Sequence, residues 1–176
     1  VLLNSADISI PDGIAMLWAA VYLQIPLTAR GYYQKIIQAL WQMVYSGASI
    51  VLFPKYIRRI IPNKIVGADF FWDLVKLADA RGQSVYFLGG FGQTPKLLAE
   101  KVKNAFPTLN IVGWSNKNPR DPSIISDVVK AKADFMFVAF GPINQERWIR
   151  DSALEVKVKV AIGLGGTFDY IVGDKM

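Results

Sequence analysis

The sequence predicts an α/β fold, in which helices cross over a parallel sheet and an apolar helical insert is added to it. Two observations predict the sheet. In the second half of the chain, short apolar runs alternate with helical segments of about ten residues, and glycine-rich turns follow three of the apolar runs. A third observation predicts the insert, because the segment Ile36–Pro54 is apolar and carries no charged residue.

The predicted sheet has four strands, which are Ser84–Leu88, Ile111–Gly113, Asp134–Phe140 and Val156–Ile162. The helices predicted between them are Thr94–Ala105, Ser123–Ala131 and Asn144–Ser152. Thr94 and Thr167 are predicted to be helix N-caps. Strand–helix–strand units form right-handed crossovers, so we expect parallel strands and a Rossmann-like sheet. Ligands of such sheets bind at the carboxyl ends of the strands, where Gly89, Gly141 and Gly163 lie.

The first half of the chain is less regular. Ile8-Ser9-Ile10 alternates as a strand does, Pro11-Asp12-Gly13 forms a turn, and helices are predicted at Ile14–Leu23 and Asp69–Arg81. A length of 176 residues corresponds to one domain, with residues 24–62 as a possible insert. Both ends of the chain fall next to a predicted element or motif, so we expect a domain truncated at both ends.

The uncharged block Ile36–Pro54 approaches the length of a membrane span. Its polar residues make it a poor span, and basic residues flank it on both sides. It therefore favours an interfacial or re-entrant segment on an anionic membrane surface, with Tyr33, Trp41 and Tyr45 at the level of the headgroups. A buried helical hairpin, or a contact in a homo-oligomer, is the alternative.

The composition excludes several kinds of site. The chain has no cysteine and no histidine, which excludes disulfides, thiol nucleophiles, Ser-His-Asp triads and ordinary zinc sites. The net charge of +6 suits an anionic partner. The basic residues are mostly dispersed and no nucleic-acid-binding motif is present, so nucleic acid is not an expected partner.

The glycine-rich turn Gly163–Gly166 is the strongest indication of a ligand site. A strand precedes the turn and a helix follows it, so backbone N–H groups and the helix dipole can bind a phosphate. The turn, with Gly165 and Gly166 in it, is therefore predicted to form a nucleotide-diphosphate pocket. A tight turn that binds no ligand would explain the same glycines.

Two further positions lie where chemistry is possible. Asp12 is placed to act as a general base or, with no catalytic role, as a helix N-cap. Gln145 begins a helix at the end of a predicted strand, where its amide could bind a sugar hydroxyl or a phosphate oxygen. Glu146 could simply complement the helix dipole. The sequence has no Asp-x-Asp pair for a divalent ion, so no metal site is predicted.

An NAD-dependent dehydrogenase is the competing enzyme class. The turn Gly89–Gly92 does not fit the G-x-G-x-x-G pattern of dinucleotide-binding proteins. The residue near the end of the next strand is Trp114 and not an acid that could bind the ribose. The dehydrogenase is therefore the weaker hypothesis.

Six segments together resemble the WecG/TagA/CpsF family of bacterial glycosyltransferases. They are Asp7–Gly13, Lys64–Asp69, Val85–Gly90, Phe106–Gly113, Asp134–Trp148 and Ala161–Gly173. The most specific signatures are G-x-x-x-Q-E-x-W, which begins at Gly141, and G-x-G-G-x-F-D, which begins at Gly163. Most of the chain outside Gln24–Pro62 takes part in the resemblance.

The resemblance implies an inverting, metal-independent hexosyltransferase. The donor would be a UDP-sugar such as UDP-N-acetylmannosamine, with no separate cofactor, and the acceptor an undecaprenyl-diphosphate-linked amino sugar. The protein would be peripheral on the cytoplasmic face of the bacterial membrane, and its product would enter teichoic acid or another surface polysaccharide. A non-catalytic UDP-sugar-binding or membrane-associated scaffold is the alternative.

The resemblance also implies roles for individual residues. Asp12 matches the general base, Gln145 matches the glutamine that binds sugar or phosphate, and Leu164, Gly165 and Asp169 match positions that contact uridine. Gly89 and Gly90 belong to a matching segment at a strand end and are predicted to line the nucleotide site.

The sequence also departs from the family pattern. Lys64 stands where the family usually has arginine, so it keeps the charge that stabilises the diphosphate but loses the bidentate fork. The family's G-Y-F segment, whose aromatic residue stacks on uracil, is missing, and Asn116–Asn118 occupies its place. Trp114 is therefore the candidate to stack on uracil. A Thr-x-Asn segment and a C-terminal Arg-Ala-Pro segment of the family have no counterpart here. We therefore expect part of the acceptor site to be missing.

Overall fold

The computed structural model describes residues 5–10, 13–61 and 65–173. The chain divides into two compact units. Val1–Ser9 and Gly67–Met176 form one, called here the sheet unit, and Ile10–Val66 form the other, called the helical unit. The uncharged block thus belongs to a unit that also includes the first helix of the chain.

Within its described residues, the sheet unit contains four strands and five helices. The strands are β1 (Ser84–Gly89), β2 (Asn110–Ser115), β3 (Phe135–Ala139) and β4 (Val160–Gly163). The helices are α4 (Gly67–Ala80), α5 (Thr94–Ala105), α6 (Ser123–Ala131), α7 (Asn144–Val156) and α8 (Thr167–Val172). The helical unit contains α1 (Ile14–Leu23), α2 (Tyr32–Leu52) and α3 (Pro54–Ile57).

The strands pair in the order β2-β1-β3-β4, and every pair is parallel. The predicted α/β fold with a parallel sheet and crossover helices is confirmed. The chain runs from β1 outward to β2, then returns to place β3 on the other side of β1. This reversal makes the boundary between β1 and β3 the topological switch point, where ligands of open α/β sheets bind.

The sheet is buried on both faces, which is why its central strands are continuous apolar runs. Successive side chains of a strand point to opposite faces. Phe87 therefore packs with Phe71, Phe137 and Phe168 beneath α4, α5 and α8. Leu88 and its neighbours on the other face pack against α6 and α7. The result is a three-layer helix–sheet–helix unit.

Asp134 ties together the amino ends of three strands. Its carboxylate accepts hydrogen bonds from the Ser84 N–H and hydroxyl, at 2.9 and 3.0 Å, and pairs with Lys159 at 2.8 Å. The Lys159 ammonium and the Ser84 donors lower the pKa of Asp134 to about 2. These contacts lie at the edge of the sheet opposite the glycine turns.

Some of the predicted details differ. Thr94 and Thr167 are the first residues of their helices, and Gln93 and Gly166 occupy the N-cap positions. The last strand begins at Val160 and not at Val156, because α7 continues to Val156. Residues 8–10 are not in a strand.

In the helical unit, the uncharged block forms most of one long helix, α2, and not a helical hairpin. No helix within the described part of the chain is long and apolar enough to cross a membrane. Leu17 and Val21 of α1 are buried, together with Ser46 and Ser49 of α2. The interpretation of this segment as an insert stays a prediction.

Candidate functional site

Three glycine-containing turns follow the adjacent strands β1, β3 and β4. Because the strands are parallel, their carboxyl ends lie at the same edge of the sheet. The turns contain Gly89, Gly141 and Gly165, all with positive φ. The structure therefore brings together the three strand ends that the sequence singles out, with β1 and β3 at the switch point.

At the switch point, the first two turns are in direct backbone contact. The Gly90 N–H donates to the Ala139 carbonyl at 2.8 Å. A Cβ on Gly89 would lie 2.5 Å from the same carbonyl oxygen, closer than real Cβ atoms come to any atom. Gly89 therefore allows the two strand ends to approach, and the Gly90 amide is already paired within the protein.

Gln145 joins the β3–α7 turn to the turn after β4. Its side chain is buried, and its Oε1 accepts a hydrogen bond from the Gly165 N–H at 2.8 Å. A Cβ on Gly163 would lie 2.9 Å from Gln145 Nε2, so the absence of a side chain there leaves room for the amide. Gln145 thus holds the shape of the glycine turn, a contact that the sequence did not predict.

Glu146 holds the other end of the same amide. Gln145 Nε2 donates to Glu146 Oε1 at 2.9 Å. The second carboxylate oxygen, Oε2, is buried, and no donor among the described residues reaches it. Buried carboxylate oxygens are normally paired, so this oxygen marks a polar position next to Gln145 that the described protein groups leave unfilled.

Asp169 lies in the first turn of α8 and is half-buried. Its Oδ1 accepts a hydrogen bond from the Thr94 hydroxyl at 3.0 Å, and Thr94 itself is buried at the start of α5. The same two helices are joined by Lys101, whose ammonium donates to the Ile171 carbonyl at 2.6 Å. The Thr94 hydroxyl therefore holds Asp169, the residue predicted to contact uridine, and does not act as the predicted N-cap of α5.

The turn after β4 has fewer available amides than its glycines suggest. The Leu164 N–H donates to the Val138 carbonyl, the Gly165 N–H to Gln145, and the Thr167 N–H to the Leu164 carbonyl. A phosphate bound here would therefore rely on Gly166 and on groups outside the turn. α8 is also short, with six residues.

Ile143, two residues before Gln145, is a further residue of this region that the sequence does not single out. Its φ is +72°, a conformation that is strained for a β-branched residue, and its side chain is exposed. The Arg147 N–H donates to the Ile143 carbonyl at 3.0 Å. The strain is therefore stored at the entrance to α7, beside the buried amide, and no feature of the sequence indicates it.

Trp114 lies on the edge strand β2 and is half-exposed. It lines an open groove of about 410 Å³ together with Lys96, Glu100 and Lys103. After it, Asn116 Nδ2 donates to the Gly92 carbonyl at 2.7 Å and holds this segment against the turn after β1. The stacking role of Trp114 stays a prediction.

Asp12 and Lys64, the predicted base and the predicted cation for the diphosphate, lie outside the described residues. Their roles therefore stay predictions. Gln145, Gly163–Gly166 and Asp169 are described. They form a set in which Gln145 is bonded to Gly165 and Glu146, and Asp169, four residues after Gly165, is bonded to Thr94.

The two sequence signatures that meet in this set also identify the family. Residues 29–176 match the model of the glycosyl transferase WecG/TagA/CpsF family. The chain belongs to this family. The match begins within the segment 24–62 and includes both glycine-rich signatures.

Several proteins similar to this member of the family carry the same name, N-acetylglucosaminyldiphosphoundecaprenol N-acetyl-beta-D-mannosaminyltransferase. The protein from Bacillus spizizenii is 31% identical over 143 residues, which cover 81% of this chain and 56% of the relative. The Bacillus subtilis protein is 26% identical over 73% of this chain and 50% of its own length. A Staphylococcus aureus protein is 23% identical over 84% and 58%. The chain thus spans little more than half the length of the relatives it matches.

Proposed function

We propose that this chain carries the nucleotide-binding part of a transferase that moves N-acetylmannosamine, or a similar hexose, from a UDP-sugar to an undecaprenyl-diphosphate-linked amino sugar. Membership of a glycosyltransferase family supports the reaction type. The names of the relatives support the acceptor class and the transferred sugar. The product would enter teichoic acid or another surface polysaccharide.

One observation carries the proposal for the site. The buried Gln145 amide joins the G-x-x-x-Q-E-x-W signature to the G-x-G-G-x-F-D signature through the Gly165 N–H. The two signatures are therefore joined at the carboxyl edge of the sheet, where a nucleotide is expected to bind. In this proposal, Gln145 acts mainly by positioning the turn, because both ends of its amide are already engaged.

The proposed chemistry is a single displacement at the anomeric carbon. The acceptor hydroxyl oxygen forms the new bond to that carbon, and the bond from the carbon to the diphosphate oxygen breaks, so UDP leaves with the electron pair. The hydroxyl proton passes to the Asp12 carboxylate. Attack opposite the leaving group inverts the anomeric configuration.

Metal independence is part of the proposal and rests on the sequence. The chain has no Asp-x-Asp pair of the kind that holds a divalent ion on a nucleotide sugar. The charge that develops on the leaving diphosphate would instead be stabilised by Lys64 and by backbone N–H groups. Since the proposed acceptor is attached to a lipid, the enzyme would work as a peripheral protein at the cytoplasmic face of the membrane.

Nucleotide binding can be tested on this chain by thermal unfolding. UDP at 100 times its Kd should stabilise the fold by about 2.7 kcal/mol, and NAD should not. Gln145→Ala should weaken the effect of UDP, because the Gly165 turn loses its support. Leu154→Ala, at a residue 90% exposed on α7, is the matched control and should leave the UDP shift unchanged.

Three results of this experiment would contradict the proposal. A shift with NAD and none with UDP would favour a dehydrogenase. An equal UDP shift for Gln145→Ala would remove Gln145 from the site. The absence of a shift, in this chain and in a longer protein that includes the flanking segments, would argue against a nucleotide site altogether.

Catalysis requires a protein of the full length of its relatives, with a UDP-sugar and a lipid-linked amino sugar. Asp12→Asn should lower turnover by about 10²–10⁴-fold without weakening UDP binding. Turnover in EDTA should equal turnover in Mg²⁺. Retained UDP binding with no transfer would favour the scaffold, for which the Lys64 replacement is the supporting feature.

A further inference from the structure

Helix α2 of the helical unit turns its polar face inward. Gln38, Gln42, Ser46 and Ser49 lie on the side that packs within the unit, and both serines are buried. The Trp18 indole of α1 donates to Ser46 Oγ at 2.9 Å. These residues lie three or four positions apart along the helix, so they form a continuous stripe.

The two glutamines of this face bind the segment that connects α1 to α2. Gln38 Oε1 accepts from the Ala29 N–H at 2.9 Å, and Gln38 Nε2 contacts the Thr28 hydroxyl at 3.2 Å. Gln42 Nε2 donates to the Pro26 carbonyl at 3.2 Å. Hydrogen bonds thus hold the connecting segment against α2, while Leu17 and Val21 of α1 are buried beside Ser46 and Ser49.

The opposite face of α2 is apolar and exposed, and it is called here the apolar stripe. It consists of Tyr33, Ile37, Leu40, Trp41, Val44, Val51 and Leu52. Trp41 is 70% exposed and Val51 is 82% exposed. In water, such a face leaves several large apolar side chains hydrated, which is unfavourable relative to their burial.

The orientation of the two faces of α2 is the reverse of that in a helix on the surface of a water-soluble protein. A surface helix of a globular protein turns its apolar stripe to the core and its polar residues to the solvent. Polar contacts inside and apolar residues outside are instead typical of helices in lipid, where hydrogen bonds join the helices. A contiguous exposed apolar patch of this kind marks an interaction surface.

The charge of the unit identifies the partner. Residues 10–66 contain six lysine or arginine residues and one acidic residue, so they hold +5 of the net charge of +6. Arg30 and Lys35 lie near the start of α2, and Lys55, Arg58 and Arg59 follow its end. An apolar stripe with cations at both ends matches the acyl layer and the headgroups of an anionic membrane.

We infer that the helical unit docks on an anionic membrane, with α2 lying in the plane of the interface and the apolar stripe inserted among the acyl chains. A helix of 21 residues is about 30 Å long and buries one side along that length. If a second copy of this chain covered the apolar stripe, two helical units with a charge of +5 each would face one another. Their repulsion favours an anionic lipid surface as the occupant. The inference concerns attachment and does not depend on the transfer reaction.

Vesicle flotation tests this inference with the chain of 176 residues. The chain should float with vesicles of phosphatidylglycerol and phosphatidylethanolamine and should bind phosphatidylcholine vesicles more weakly. Trp41→Gln/Val44→Gln should lower the partition coefficient at least tenfold, because two apolar side chains leave the acyl layer. Leu154→Gln, at an equally exposed residue of the sheet unit, is the matched control and should float like the wild type.

The charges are tested separately. Arg58→Gln/Arg59→Gln should lower binding to anionic vesicles by about fivefold for each charge removed and should leave binding to phosphatidylcholine unchanged. Raising the salt concentration should have the same effect in the wild type. A circular dichroism melt of each variant establishes that the fold is retained.

Several outcomes would overturn the inference. The chain could remain at the bottom of the gradient, or Trp41→Gln/Val44→Gln could float as the wild type does. Equal binding to anionic and zwitterionic vesicles would overturn the assignment of an anionic surface. A dimer in sedimentation without vesicles, which dissociates in Trp41→Gln/Val44→Gln, would assign the apolar stripe to a second copy.

Discussion

The two units of the chain differ in which side chains they bury and which they expose. In the sheet unit, aromatic side chains fill the interior. The ring of Phe71 has four aromatic neighbours whose ring centroids lie within 6.4 Å of its own, namely Trp72, Phe87, Phe137 and Phe168. In the helical unit, Ser46 is fully buried while Trp41 is 70% exposed. Both units are rich in large apolar side chains, so a difference in composition alone does not explain the contrast.

The contrast shows that an amphipathic pattern does not by itself state which face lies inside. The sheet unit gains stability by removing apolar area from water. The helical unit buries Ser46 and Ser49 beside Leu17 and Val21, so hydrogen bonds within it contribute to its stability, and the apolar stripe of α2 stays exposed. We therefore expect the two units to respond differently to substitutions, to nucleotide and to pH.

The largest expected effect is the difference between truncating an interior residue of the sheet unit and truncating an exposed residue of the helical unit. Phe71→Ala should destabilise the sheet unit by about 3–5 kcal/mol, because it removes a fully buried ring. Trp41→Ala removes a larger side chain but should change stability in water by less than about 0.5 kcal/mol. Urea unfolding of both variants measures the difference, and similar losses would end the contrast.

The hydrogen-bonded interior of the helical unit gives the next effect. Ser46→Ala leaves the Trp18 indole N–H without its acceptor and should cost about 1–3 kcal/mol. Trp18→Phe removes the donor, so Ser46→Ala should cost less in that background than in the wild type. Additive losses in the double-mutant cycle would show that this bond does not stabilise the unit.

In the sheet unit, Gly163→Ala should act through Gln145. The new Cβ would lie within 2.9 Å of the amide and should displace it from the Gly165 N–H. In the proposed site UDP binds the turn that this bond holds, so restoring the turn on binding should cost about 1 kcal/mol, which is about a fivefold weaker affinity for UDP in titration calorimetry.

The control for this variant is Gly47→Ala in the helical unit, where a Cβ would meet no atom within 4 Å. It should leave the affinity for UDP unchanged. In the double variant Gly163→Ala/Gln145→Ala, stability should recover because the clash is gone, whereas affinity should remain low. Full recovery of affinity would contradict the positioning role of Gln145.

The smallest effect is the response to acid. The folded pKa of Asp134 is about 2, below the ordinary value of about 3.9 that applies when the chain is unfolded. Its carboxylate therefore stabilises the sheet unit above about pH 4, and this contribution is lost as the pH falls toward 2. Residues 13–66 contain no acidic side chain, so this part of the helical unit has no such dependence.

Urea midpoints between pH 5 and pH 2 measure this effect. Asp134→Asn should be less stable than the wild type at pH 5, and the difference should shrink as the pH approaches 2. Lys159→Met, which removes the ion pair and keeps the two Ser84 bonds, should show part of the same change. A difference that is constant over the whole range would assign the effect to packing.

Much of the fold follows from the sequence, because local patterns set it. The bounds of α1 and α6 agree with the predictions residue for residue, and the four strands appear in the predicted order with shifted ends. The errors arise where a tertiary contact overrides a local signal. Thr94 has the chemistry of an N-cap, yet its hydroxyl binds Asp169, 75 residues away.

The site divides in the same way. The glycine turns and Gln145 could be found in the sequence, since glycine after a strand has a local meaning. The partner of Gln145 could not be found, because the Gly165 N–H lies 20 residues away and meets the amide only when β4 pairs with β3. The strain at Ile143 likewise has no sequence pattern behind it.

The sequence by itself determined the order of strands and helices, the glycine turns and the two signatures of the glycosyltransferase family. These depend on backbone preferences and on periodicity, which neighbouring residues control. Only the tertiary structure decided that Gln145 supports the turn, that the switch point lies between β1 and β3, and that α2 faces its polar side inward. These depend on which surfaces meet when the layers pack, and no local interaction specifies that.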